Sequence, residues 1–195
     1  MLINEKGLVR AIKRAYKSGG YTVANLGTDM AIYTENWFVL VNRALISRKV
    51  LATIVEHMGV IPEKDVPTSI QKDGEPQVVL REVAVDDMDH WRSGECGEEV
   101  TIVPVIMQGY QIFQPPGGGA CWGVPLYLLG VIERDPVEHT GAEVIDVGRL
   151  LWEAEGETVL IDCVRKARSS WAKTWERAVW EALEGVDLHK EEAGM

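Results

Sequence analysis

The chain has 195 residues, of which 46% are hydrophobic and 26% charged, and 20 basic against 30 acidic side chains leave a formal net charge of −10. That length suits one large domain or two of roughly 100 residues each, with apolar content enough for a buried core. The acidic balance argues against bulk adhesion to nucleic acid or anionic lipid while leaving room for a local basic surface.

No apolar run reaches the roughly 18 to 20 residues that a membrane helix needs, so no membrane partner is expected. The longest candidate, VPLYLLGVI, reads as a buried strand. The chain opens with no apolar leader and small-residue cleavage site, so no secretory signal is expected. Cys96, Cys121 and Cys163 are odd in number, widely spaced and free of any CxxC pair. They support neither a disulfide framework nor a zinc knuckle, and a reducing cytoplasm is the natural setting.

In chain order, residues 4–18 have helical periodicity. Leu8, Val9, Ile12, Ala15 and Tyr16 share one arc, and Lys6, Arg10, Lys13, Arg14 and Lys17 share the opposite one. Asn4 suits the N-cap and Gly19-Gly20 the stop. Strands are predicted at 21–26, 30–34 and 37–41, with a hairpin around Glu35-Asn36. Ser47 then caps a helix over 48–58 that Gly59 ends. Residues 62–76 are polar and hold three prolines. They read as a linker or long loop between a lobe at 1–61 and a second α+β lobe at 77–195, unless the whole forms a single domain.

Further strands are predicted at 77–85, 99–107 and 120–132, with a flexible QPPGGGA loop before the last. A short helix starts at Asp86 or Asp87. Asp146 caps another over 147–154, TVLIDC is a strand, and ERDP is a solvated turn. A final helix runs from about 164 to 184, and the tail HKEEAGM is disordered. The stretches ALISRKVLATIVEHMG and EVIDVGRLLWEAEG share a plan of strand end, capping Ser or Asp, and Gly-closed helix, which suggests two similar lobes. The expected class is α+β, a mostly antiparallel sheet with amphipathic helices packed on one face.

No cofactor signature is present, and no catalytic or metal-binding residue is assigned. Cys121 sits in QPPGGGACWG, which is superficially similar to the papain-type cysteine protease signature. That nucleophile opens a helix, whereas Gly123 and Pro125 here favour an extended chain. His139 and His189 have no spacing that makes either a base for it. Cys121 reads as a buried strand residue beside a Trp. The glycines lack the Gly-Lys-Ser/Thr and the following helix of a phosphate loop. Asp86, Asp87, Asp89 and His90 could hold a divalent ion for a metal-dependent hydrolase. Consecutive residues project in different directions, however, and acids at a helix start also serve its dipole. On the last helix Val164, Ala167, Trp171, Trp175, Ala178 and Ala182 form the apolar stripe. Trp180 lies outside it near Lys173 and Arg177, as an exposed interface anchor for a protein partner or a homo-oligomer, or as a base-stacking ring.

The first helix is the electrostatic clue. Lys6, Arg10, Arg14 and Lys17 step along one side by four, four and three residues, with Lys13 beside them. Each like-charge pair costs about 0.2–0.5 kcal/mol. An acidic neighbour in the fold would offset this, and so would a polyanion. Lys166, Lys173 and Arg177 add cations on one side of the last helix.

An acidic chain with a basic helix, EKGLVRAIKRAYKSG, then strands holding LGTDMAIYT, then ISRKVLATIVEHMG, resembles a domain of a DNA sliding clamp. The resemblance covers about the first sixty residues, and the second-half echo extends it faintly. It implies a ring or partial ring around double-stranded DNA, with helices inside and sheets outside. The expected function is a non-catalytic, nucleic-acid-associated accessory or clamp-like module that contacts phosphates through Lys6, Arg10, Lys13, Arg14 and Lys17.

Overall fold

A computed structural model describes residues 1–133, 141–145, 148–170 and 172–189. Helix α1 spans Glu5–Ser18. The Asn4 side chain caps it by accepting from the Gly7 N–H at 2.8 Å, and its buried stripe includes Leu8, Ala11, Ile12 and Ala15. Strands β1 (Tyr21–Asn25), β2 (Asp29–Tyr33) and β3 (Trp37–Asn42) form an antiparallel meander. Helix α2 (Arg48–Met58) starts where the Ser47 hydroxyl accepts from the Val50 N–H, and it stops at Gly59 with φ +80°. These five elements match the periodicity and the caps in the sequence.

The rest of the chain comprises β4 (Thr68–Ile70), β5 (Gln77–Val78), α3 (Arg81–Arg92), β6 (Cys96–Met107), β7 (Tyr110–Gln114) and β8 (Trp122–Pro125). After these come α4 (Leu126–Leu129), β9 (Gly141–Ile145), β10 (Arg149–Ala154), β11 (Glu157–Asp162), a single 3-10 turn at Lys166–Arg168, and α5 (Thr174–Glu184). The strands form one sheet in the order β5-β4-β1-β2-β3-β11-β10-β9-β6-β7-β8, antiparallel at every pair. Antiparallel α+β is therefore the architecture. The segment expected as a linker contributes β4, which pairs with β1. The β3–β11 ladder, with Phe38 opposite Leu160, carries the sheet from the first sixty residues into the remainder.

Strand alternation divides the core in two. Met30, Ile32, Val39, Leu150, Val159 and Ile161 face one way, under α1, α2 and α4. Ala31, Phe38, Leu151 and Leu160 face the other way and meet Met88 and Trp91 of α3. Beside them Val103, Ile112 and Cys121 pack against Ala167 and Trp180. Helices thus cover both faces of the sheet, not one as expected. Among the described residues no helix is long and apolar enough to cross a membrane.

Four further expectations change. The strand at 77–85 shrinks to Gln77–Val78, and α3 begins at Arg81, because Ala84, Met88 and Trp91 recur at helical spacing toward the core. The helix over 147–154 is strand β10. Both of its faces are buried, and a doubly buried strand has no alternation to betray it. The strand over 120–132 ends at Pro125 and gives way to α4. The helix from 164 to 184 is a 3-10 turn followed by α5 alone, and β7 has no counterpart among the predicted strands. The expectations for ERDP past Glu133, His139, the Asp146 cap, Trp171 and the tail at 190–195 lie outside the described residues.

The base of α1 is fixed by a set of close contacts. The Leu2 N–H donates to the buried Glu157 carboxylate at 2.6 Å, and the Asn4 N–H donates to the Val131 carbonyl at 2.7 Å. Gly7 lies so near the end of α4 that a β-carbon there would stand 1.5 Å from the Gly130 carbonyl oxygen.

Candidate functional site

Anchored this way, α1 buries its apolar stripe and leaves Lys6, Arg10, Lys13, Arg14 and Lys17 exposed. Lys13 pairs with Glu56 of α2 at 3.1 Å, with the two side chains 46% and 61% exposed. A surface pair of this kind is worth at most about 1 kcal/mol. Arg10 donates from Nε to the Lys6 carbonyl at 3.3 Å, which leaves its charge intact. The Arg14 guanidinium lies 3.9 Å from the centroid of the Tyr127 ring, so an aromatic face positions this cation without neutralising it. Among the described residues, Lys13 alone of the five has a carboxylate partner. Among the described residues the other four cations of the row are exposed and have no carboxylate partner.

Two more cations share this layer. Arg48 and Lys49 are exposed in the first turn of α2, which holds no acid. The helix dipole disfavours positive charge there. The sequence offered them only through the clamp resemblance. His57 was not anticipated at all. It stacks on Tyr16 with centroids 4.0 Å apart and rings 7° from parallel, and its Nδ1 lies 3.0 Å from the Tyr21 hydroxyl. Burial holds its pKa below the usual histidine value, against the pull of Glu56 and with the help of Lys13. This contact clamps the C-terminal halves of α1 and α2 together.

A cavity of about 750 Å³ opens at the end of α1, between the 34–36 turn, the β4–β5 connection and α3. Arg14 and Tyr127 line it together with Glu35, Glu75, Asp87 and Asp162. Arg149 also lines it, but its guanidinium donates to the carbonyls of His90, Trp91 and Ser93 and so closes the C-terminal end of α3. Burial raises the Asp162 pKa, opposed by Arg149. The wall mixes both signs, and of the α1 row only Arg14 is part of it.

The metal and thiol chemistries do not come together. Asp86, Asp87, Asp89 and His90 lie within α3, past its first turn, because the helix starts at Arg81. All four are exposed, and consecutive positions on a helix point about 100° apart. Among the described residues no group of three or more His, Cys, Asp or Glu side chains is placed to hold a metal ion. Cys121 is fully buried, and its thiol pKa is pushed up to about 11 by burial and then by Glu184. Such a thiol stays protonated at neutral pH.

Trp180 is not an exposed anchor. It is fully buried against Gly123, where a β-carbon would come within 2.6 Å of its ring. The helix begins only at Thr174, so the stripe extrapolated from Val164 has the wrong phase. Trp175 is the exposed aromatic, at 56%. Lys173 is exposed and Arg177 half-buried, but Lys166 is buried beside Glu176 at 3.3 Å, and the expected basic side of the last helix is broken there. Set beside known protein families and curated proteins, the chain matches none of them.

Proposed function

We propose that the α1 face binds the phosphate backbone of double-stranded nucleic acid, and that the protein is a non-catalytic accessory or clamp-like module. One observation carries this reading: Lys6, Arg10, Arg14 and Lys17 form an exposed row with no carboxylate partner among the described residues, in a chain of net charge −10. Eleven residues separate Lys6 from Lys17, so at 1.5 Å per residue the row is about 16 Å long. Each strand of a duplex presents one phosphate per about 3.4 Å of axis, so the row has several within reach along one strand. Phosphate contact requires no base-specific geometry, which suits flexible Lys and Arg heads on a rigid helix.

The acidic remainder supports the reading from the other side. It repels a polyanion from the rest of the surface and so restricts contact to the α1 layer. The order of helix, meander and helix, with α1 and α2 side by side on one face of a sheet, supports the clamp-like form of the proposal. Anisotropy of a labelled duplex at low salt tests it. The native chain binds, and Lys6→Glu/Arg10→Glu/Lys17→Glu abolishes binding while the far-ultraviolet spectrum is unchanged. Equal binding by the two proteins would refute the proposal.

A further inference from the structure

The cavity at the end of α1 gathers polar groups that the fold leaves unmet. Glu35 comes from the β2–β3 turn, Glu75 from the β4–β5 connection, Asp87 from α3 and Asp162 from the end of β11. Among the described residues none of these four carboxylates stands at salt-bridge distance from a Lys or Arg. Of the two guanidiniums that line the cavity, that of Arg149 donates to the carbonyls closing α3, and that of Arg14 lies against Tyr127. The Tyr33 hydroxyl is a second kind of unmet group. Tyr33 is only 4% exposed, yet its oxygen has no hydrogen-bond partner. Thr22, its neighbour across the β1–β2 pair, faces that oxygen outside hydrogen-bonding geometry. Burial, and after it the Asp87 charge, push the phenol pKa up to about 12. Buried polar atoms are almost always hydrogen-bonded, so a bare one on a cavity wall marks a place for a ligand atom.

We propose that this cavity binds a linear aliphatic polyamine, with one ammonium group seated between the Tyr33 hydroxyl and the Asp87 carboxylate and the others directed to Asp162, Glu35 and Glu75. Size, spacing and donor chemistry select that ligand class. A volume of about 750 Å³ is that of a small-molecule site and far exceeds what a single ion fills. The carboxylates come from four separate elements, and among the described residues no three His, Cys, Asp or Glu side chains are placed to hold one metal ion. The ligand that matches them carries its positive charges apart. Carboxylates accept hydrogen bonds, and the Tyr33 oxygen can accept as well, so the ligand must donate. An ammonium group brings up to three N–H donors, whereas a quaternary ammonium brings none. Trp37, Trp91 and Ile70 line the same cavity and give the methylene segments an apolar wall. Burial raises the Asp162 pKa, and a cation beside it would favour the charged form. The proposal does not rest on phosphate binding by α1.

Isothermal titration of spermidine into the full chain at physiological salt, with no nucleic acid present, tests it. The native chain takes up a single spermidine per chain and saturates. Butylamine, with one charge, binds more weakly, and Mg²⁺ at matched charge does not displace the triamine. Tyr33→Phe removes one oxygen and no charge, and it weakens binding at least about tenfold, the size of a hydrogen bond to a charged group. Because that hydroxyl has no partner within the chain, the same variant melts no lower than the native protein, which separates loss of the site from loss of the fold. A clearly lower Tm would mean that the hydroxyl serves the fold and would overturn the inference. Asp87→Asn, at an exposed position of α3, also weakens binding. Glu153→Gln/Glu155→Gln removes two exposed carboxylates outside the cavity and leaves binding unchanged. Absence of saturable binding would overturn the inference. So would displacement by Mg²⁺, or equal binding by Tyr33→Phe, Asp87→Asn and the native chain, since either would make the amine a diffuse counterion of an acidic protein.

Discussion

At Gly7 a β-carbon would stand 1.5 Å from the Gly130 carbonyl oxygen and 2.9 Å from the Val131 amide nitrogen. Both are backbone atoms, so no side chain can swing away to make room. Alanine normally gains up to about 1 kcal/mol over glycine inside a helix. Here the displacement of α1 from α4 dominates, and we expect Gly7→Ala to destabilise the fold by about 2 kcal/mol in urea unfolding. A neutral or stabilising result would mean that α1 is not held where it is described. His57 makes a pH prediction. Its folded pKa lies below the unfolded value of 6.5, mainly through burial. The unfolded chain therefore binds more protons in that window, so this contribution is fully present above 6.5 and is lost as pH falls below it. Urea midpoints measured between pH 5 and pH 7.5 should fall toward the acid end, and His57→Gln should flatten that fall. Loss of the slope in the native chain itself would show that the Tyr16–His57–Tyr21 contact is not formed.

Among the elements, α1 makes the sharpest distinction between a fold role and a surface role. Arg10 has Lys6, Lys13 and Arg14 at three or four residues' distance, each a like charge on the same face. Removing it relieves about 0.2–0.5 kcal/mol per pair. Arg10→Gln should therefore leave stability unchanged or raise it by up to about 1.5 kcal/mol, while weakening duplex binding. A residue retained for the fold would show the opposite pair of effects, which calorimetry and anisotropy on one sample separate. The same helix was fully legible in the sequence, because its stripe, its Asn4 cap and its glycine stop all agree. Strands β1–β3 and helix α2 were legible for the same reason. Strand β10 was not. Leu150, Leu151 and Trp152 are buried on both faces of the sheet, so RLLW has no period to read. Helix α3 was hidden in VVLREVAV, whose alternation imitates a strand. Trp180 was misplaced because the phase of a helical wheel depends on where the helix starts, and the break before Thr174 left no mark in the sequence. The five cations of the candidate site could be read from one helix. Their surroundings could not, since Glu56 and Tyr127 come from residues 43 and 113 positions away from the cations they meet.

Across the whole molecule the cation row of α1 and the exposed side of α5 lie on opposite faces of the sheet. Helices α1, α2 and α4 cover one face, and the Trp180 cluster under α5 belongs to the other. Because the rest of the chain is acidic, contact with a polyanion depends on that row and on screening of everything else. The most direct test is the salt dependence of duplex binding. Each phosphate neutralised contributes about −0.9 to the slope of log K against log salt concentration, so the four cations without a carboxylate partner among the described residues give a slope of about −3 to −4, and Arg10→Gln lowers its magnitude by about 0.9. A slope near zero, or no detectable binding at low salt, would contradict the assignment of α1 as a phosphate-contacting surface.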